Sequence, residues 1–251
     1  MLDLNKLSYN YTLSVSDLQE SDKQFHEGKD GRKFGTVALA SITLNNGFTV
    51  QGIKIVEVIP KDEKQQHGYF VQFPQVAYVD KDGKTNYYDT IGFTQKDIAD
   101  KIKEQLVRCY KQKGVEKEMT LKDGTTKTTL VKQMSFGDLK TDKYPNIGFK
   151  LYNVESKNEN APIKKADVTI NDIITVKNVS VFDGKEKGYK HDYTFNFPSY
   201  TNTAGEEKPY ALPTKADVYE MMSNLVSKEI EKPAAVVSKP ATQKQEEAAE
   251  I

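Results

Sequence analysis

Ala40-Ser41-Ile42-Thr43-Leu44-Asn45 and Ala166-Asp167-Val168-Thr169-Ile170-Asn171 are one pattern written twice in this chain. In both copies apolar and polar residues alternate, the period-two signature of a half-buried strand. The same spacing holds onward, with Thr49-Val50 over Thr175-Val176. Ile53, Ile55 and Val56 lie over Val179, Val181 and Phe182, and Glu57 over Asp183. Further out, His67-Gly68-Tyr69-Phe70-Val71-Gln72-Phe73-Pro74 lies over His191-Asp192-Tyr193-Thr194-Phe195-Asn196-Phe197-Pro198. Thr94 to Asp97 then lies over Thr214 to Asp217. Chance alternation would match hydrophobicity, but not Thr-Val, His-x-Tyr and Phe-Pro in the same order. The sequence therefore predicts an internal duplication.

Around these anchors the elements follow. Leu7, Tyr9, Tyr11, Leu13 and Val15 alternate and predict a strand, and residues 16–33 read as a polar loop. Val37 to Val58 reads as a hairpin turned by Asn45-Asn46-Gly47. Tyr69 to Val79 reads as a further strand, turned at Asp82-Gly83. A helix is predicted after Thr94, which with Asp97 imitates a capping box. Its apolar face is Ile98, Ile102, Leu106, Cys109 and Tyr110, and Gly114 ends it. Residues 115–132 alternate around Asp123-Gly124, as an extra hairpin would. The strand pattern resumes at Ile147, Phe149 and Leu151, then from Val168 to Phe182 and from Tyr193 to Phe197. A second helix from Thr214 carries Val218, Met222, Leu225, Val226 and Ile230, and stops before Pro233. The expected fold class is α+β: two tandem units, each a small antiparallel sheet followed by one C-terminal helix. The expected divisions are a first unit over 1–114, an inserted β-hairpin and linker over 115–146, a second unit over 147–232, and a tail over 233–251. The Ala/Lys/Glu/Gln/Pro composition of that tail predicts disorder.

Composition narrows the function. The 251 residues carry 36 basic and 36 acidic side chains, so no global charge excess points to a polyanion or a polycation. Arg32 and Arg108 are the only arginines, which disfavours bidentate reading of guanine in the major groove. Lysine contacts to phosphate stay open. A single cysteine, Cys109, excludes an internal disulfide framework and a Cys-rich zinc site. No run reaches the roughly 18–20 apolar residues of a membrane helix. Residues 1–6 lack the charged-then-apolar pattern of a signal peptide, so the expected compartment is the cytoplasm. There is no G-x-S-x-G, Walker-type glycine loop or His-Glu-x-x-His. An enzyme is therefore not expected, nor is a cofactor or a metal.

Phe149 to Glu155, Ala166 to Asn171, Ile174-Thr175-Val176 and Val179 to Gly184 resemble the strand core of the stage V sporulation protein G (septation protein SpoVG) family. Ala40 to Leu44, Phe48-Thr49-Val50 and Ile53-Lys54-Ile55-Val56-Glu57 resemble it more closely. The likeness covers about residues 34–112 and 147–232. It implies a small regulator that binds DNA or RNA, here as an intrachain pseudo-dimer. The family's Met-Pro-Ser strand end becomes Phe197-Pro198-Ser199 and Phe73-Pro74-Gln75. Its following Lys-Arg pair is replaced by Tyr200-Thr201 and Val76-Ala77.

The candidate nucleic-acid-binding residues are Lys54, Lys61, Lys64, His67, Tyr69, Lys101, Arg108, Lys111, Lys187, Lys190, His191, Tyr193 and Tyr200. Lysine loops beside aromatic strand residues suit a single strand, whose phosphates need charge and whose bases need a stacking face. His67 and His191 stand at matched positions, either as phosphate donors or as polar residues at a loop-to-strand junction. The first helix nets three positive charges and the second does not, so a basic surface is expected on the first unit. Two functions follow. One is non-catalytic binding of single-stranded DNA or RNA with little sequence preference, in a regulatory or replicative role. The other is a protein-interaction or scaffold role, with exposed strands pairing with a partner or a second copy. A membrane partner is not expected.

Overall fold

The computed structural model describes residues 10–62, 64–120, 124–137, 144–156, 158, 160–185, 188, 190–201 and 206–231. The expected tail over 233–251, Leu7 and Tyr9 of the first expected strand, Asp123 of the extra hairpin and Lys187 lie outside the described residues. The N-terminal half runs β1 (Tyr11–Asp17), β2 (Phe25–Glu27), β3 (Lys33–Leu44), β4 (Phe48–Ile59), β5 (Gly68–Gln72), β6 (Gln75–Val79), β7 (Thr85–Asp89), β8 (Ile91–Phe93) and α1 (Lys96–Tyr110). Next come β9 (Val115–Thr120) and β10 (Thr126–Phe136). The C-terminal half runs β11 (Ile147–Asn153), β12 (Lys164–Ile170), β13 (Ile174–Asp183), β14 (Tyr193–Asn196), β15 (Ser199–Thr201), β16 (Glu207–Pro209), β17 (Ala211–Pro213) and α2 (Ala216–Glu231).

Asn45 and Asn46 both adopt positive φ, 47° and 50°, and turn β3 into β4. Asn171 and Asp172, both at 54°, do the same between β12 and β13. Two successive left-handed residues make the hairpin turn whose twist matches paired strands, and Asn and Asp tolerate that region. The hairpins are equivalent in register: Thr43 faces Thr49 and Thr169 faces Thr175. In both, the paired threonine hydroxyls share a hydrogen bond.

Each hairpin then receives a strand from the opposite half. β17 pairs with β4, setting Ala211 against Val50, and β8 pairs with β13, setting Ile91 against Val176. The crossing is reciprocal down to single bonds. The Gln51 N–H donates to Tyr210 C=O and the Lys177 N–H to Thr90 C=O, each at 2.8 Å. Between the two turns the Asn171 amide donates to Asn45 Oδ1 at 3.3 Å in a buried contact.

These pairings overturn the expected fold class. Of the described residues 52% lie in strands and 17% are helical, so the chain is mostly β, not α+β. Nor does it divide into two units, each a sheet with its own C-terminal helix. The eight-stranded sheet, β17-β4-β3-β1-β10-β9 with β2 on β3 and β5 on β4, takes a strand from the C-terminal half. The five-stranded sheet, β11-β12-β13-β14 with β8 on β13, takes one from the N-terminal half. The strands β9 and β10 extend the larger sheet along the edge of β1. The physical reason is that β8 and β17 are three residues long and find hydrogen-bond partners only across the molecule.

Three local readings change too. Residues 16–33 contain a 3-10 turn at Glu20–Asp22 and strand β2. The stretch from Tyr69 to Val79 is two strands, broken at Phe73-Pro74, because proline has no N–H to give the ladder. Thr94 and Thr214 do not cap their helices. Their hydroxyls donate to Asp172 C=O and Asn46 C=O in the opposite half's turn, clasping the halves together.

The inner faces of both sheets and the helices share one apolar core. From α1 it takes Ile98, Ile102, Leu106 and Cys109, and from α2 Val218, Met222 and Val226. No helix among the described residues is long and apolar enough to cross a membrane.

Candidate functional site

Alternation fixes which side chains line the outer face of the larger sheet. Leu13, Val15, Ala40, Ile42, Val50 and Ile53 point into the core. Ser14, Ser16, Leu39, Ser41, Gln51 and Lys54 therefore project outward, and they floor a groove of about 770 Å³. One wall is Tyr210 with Tyr200 stacked on it, ring centroids 5.0 Å apart and planes 24° apart. Tyr210 lies flat on the sheet because residue 52 is glycine. Gly52 adopts φ +74°, and a Cβ there would sit 2.8 Å from the Tyr210 ring. The Gln51 side chain donates to Pro209 C=O at 2.7 Å and holds the same segment down. Burial pushes the Tyr210 phenol up from its ordinary value, and the neighbouring Tyr200 adds to the shift. The far side carries Tyr87, 65% exposed on the β6–β7 hairpin, with Gln72 and Gln75 nearby.

The charged residues that line the groove are Lys54, Asp22 and Asp17. Lys54 is exposed on its floor. Asp17 at one end is paired with Lys132 at 2.7 Å, and the Lys132 ammonium also lies 4.4 Å from the centre of the Tyr110 ring. Flat aromatic rings, the uncharged hydrogen-bonding side chains of Ser14, Ser41 and Gln51, and few charges suit planar, polar groups such as nucleic-acid bases.

The candidate residues named from the sequence fall in separate places. Lys54 and Tyr200 meet in this groove. His67 and Tyr69 lie on the opposite, helix-facing side of the same sheet, where both contact Glu57, at 2.8 and 3.0 Å. The Tyr69 ring is covered by Tyr110 and by the Lys111 ammonium, so its faces are already occupied. Lys101, Arg108 and Lys111 belong to α1 and its C-terminal end, away from the groove floor. Lys61 and Lys64 are exposed in the loop after β4, and Lys61 packs over Gly31. In the C-terminal half, Tyr193 is 9% exposed and its N–H donates to Ser223 Oγ. His191 packs on Tyr219, and Lys190 is exposed.

Tyr210, Tyr87, Gln51 and Ser41 were not among the sequence candidates. The one legible signal was Gly52, since an isolated glycine inside a strand pattern marks a bulge or a close backbone approach.

The outer face of the smaller sheet is the counterpart of the groove floor, with different side chains. Lys150, Tyr152, Lys165, Asp167, Lys177, Asn178 and Ser180 stand where the larger sheet has Ser14, Ser16, Leu39, Ser41, Gln51, Gly52 and Lys54. Asn178 shares the left-handed backbone of Gly52, φ 60°, and its amide donates to Tyr88 Oη at 2.9 Å. Lys165 donates to Ser180 at 2.7 Å, and burial pulls its ammonium below the usual lysine range. The Lys150 ammonium lies 5.4 Å from the centre of the Tyr152 ring. Among the described residues, no cluster of three or more His, Cys, Asp or Glu could hold a metal ion.

No protein-family model, no curated protein and no solved structure matches the chain.

Proposed function

We propose that the chain is a non-catalytic protein that binds single-stranded DNA or RNA in the groove over its larger sheet, with little sequence preference. The observation that carries this reading is the Tyr200–Tyr210 stack beside Lys54, in a groove that also holds Tyr87, Gln51 and Ser41. Tyrosines offer a stacking face to any base, and Gln51, Gln72 and Ser41 offer hydrogen bonds to base edges. The resemblance to the SpoVG family supports the same class of ligand. Tyr200 stands at the first position of that family's Lys-Arg pair, which shifts the contact from phosphate charge to base stacking. The role is regulatory or replicative, in the cytoplasm, a compartment supported by the single, buried cysteine.

The test is fluorescence anisotropy with labelled single-stranded DNA, single-stranded RNA and duplex DNA at two salt concentrations. Binding to single strands should exceed binding to duplex, which keeps its bases stacked away from the tyrosines. With so few cations in the groove, the slope of log K against log salt should be shallow, about −0.7 to −1.4 for one or two phosphate contacts. Tighter binding to duplex, or a steep slope, contradicts the proposal.

A second reading rests on one observation. Val79 and Tyr87 are 67% and 65% exposed on the β6–β7 hairpin, and Tyr78 is 48% exposed. That projecting apolar surface fits a protein partner, and a flat anisotropy response to all three nucleic acids would favour it.

A further inference from the structure

We infer that the chain dimerises through the open edge of β11, pairing it antiparallel with β11 of a second copy. β1 is the counterpart of β11 in the larger sheet. β1 is sandwiched between β3 and β10, and β10 sets Phe136, Met134 and Lys132 against Tyr11, Leu13 and Val15. The Tyr11 and Phe136 rings stack at 4.7 Å. β11 holds the same place in the smaller sheet, but among the described residues it pairs with β12 alone.

Its hydrogen-bond parity is fixed by its first contact. The Asn171 N–H donates to Asn146 C=O at 2.7 Å, so even-numbered residues bond toward β12. The N–H and C=O groups of Ile147, Phe149, Leu151 and Asn153 then point to the unpaired edge. Such a row is a template for another strand unless charge, proline or a bulge blunts it. β11 has seven residues, no proline, no register shift and one charge, Lys150. β9, at the far edge of the larger sheet, carries Glu116, Lys117 and Glu118 within its six residues.

Self-complementarity fits a second copy, and cross-strand contacts choose the register: centring the pair on Phe149 would leave Lys150 opposite Gly148, with no side chain to meet. Centring the pair on Lys150 would set two lysines face to face, which is unfavourable. Centring it on Leu151 sets Leu151 opposite its own copy and Lys150 opposite Tyr152 of the second chain. That repeats the cation–aromatic contact already present within one chain. The contact is isologous and closes as a two-fold dimer, so it does not propagate.

Sedimentation velocity on the full chain over a wide concentration range tests this. The expected result is a reversible rise from 28.4 kDa to twice that mass. Asn153→Pro removes an outward N–H at the exposed strand end. In a symmetric dimer two bonds are lost, which should move the midpoint to about tenfold higher concentration, about 1.4 kcal/mol. Leu151→Cys should form an interchain disulfide on oxidation, and Phe149→Cys should not, because only Leu151 meets its own copy. Circular dichroism of each variant separates lost pairing from lost folding. A chain that stays monomeric, or an Asn153→Pro variant that dimerises unchanged, overturns the inference. So does a chain that dimerises only after removal of residues 232–251, since that segment would then be the occupant of the edge.

Discussion

The two sheets give one backbone plan two outer faces. Ser14, Ser41 and Gln51 line the larger sheet where Lys150, Asp167 and Lys177 line the smaller. The inward positions barely differ, Ile42 against Val168 and Val50 against Val176, because both must fill a close-packed core. The outward positions answer only to solvent and ligand, so they are free to differ. The positions that join the halves also stayed alike. Asn45 and Asn171 turn the hairpins and meet at the centre, while Thr94 and Thr214 clasp the opposite turns. The two hairpins thus share the joint and the core, while the outer face of the larger sheet alone carries the aromatic groove.

The largest expected effect separates Gly52 from Asn178. Gly52→Val places a β-branched residue at φ +74° and drives a Cβ into Tyr210, which should cost about 3 kcal/mol. Asn178→Gly keeps the left-handed backbone and should cost no more than about 1 kcal/mol, from the lost bond to Tyr88. Urea unfolding of both variants checks the pair. Equal losses would show that the glycine does not serve the Tyr210 approach.

Next comes the joint. Asn171→Ala removes the acceptor of the Asn146 N–H and the donor to Asn45 in a buried setting. The loss should be about 1–3 kcal/mol, with both sheets melting together because the joint belongs to both. Two separate transitions for the two sheets would show that the joint does not couple them.

A smaller effect follows pH. Burial raises the phenols of Tyr11, Tyr69, Tyr110, Tyr193, Tyr210 and Tyr219, with Tyr110 pushed up to about 12. A raised folded value means that the native state holds its protons while the unfolded chain releases them. The stabilisation is complete below pH 10, the unfolded value, and is lost as pH rises through the folded value. Tyr110→Phe, at a ring beside Lys132 and Tyr69, should flatten part of the decline between pH 10 and 12. An unchanged alkaline profile in that variant would assign the loss to other groups.

Much of this was legible in the sequence, for reasons that differ by element. Asn45-Asn46-Gly47 announced its turn because two left-handed residues in a row demand such side chains. Ile98, Ile102, Leu106 and Cys109 announced one helix face, since that face is set by local periodicity. The exchange of β8 and β17 was not legible, because three residues show no period and their partners lie across the chain. Thr94 read as a helix cap since its hydroxyl has the right local geometry; only the opposite turn shows where it bonds. Lys54 and Tyr200 were named from the sequence and do meet. Tyr69 and Tyr193 share their strand-and-aromatic signature but face inward, and a side chain's facing depends on which strand pairs beside it.

Binding in the groove is tested by comparing the two outer faces. Binding of a labelled single strand should be titrated against the unaltered chain, Tyr200→Ala and Tyr152→Ala, with circular dichroism confirming that each variant is folded. Tyr200→Ala should lose about 1–3 kcal/mol of affinity, the worth of one stacked base, roughly 5- to 150-fold. Tyr152→Ala, on the lysine-bearing face, should stay within about twofold of the unaltered chain. A loss at Tyr152 with none at Tyr200 would place the ligand on the smaller sheet and contradict the account.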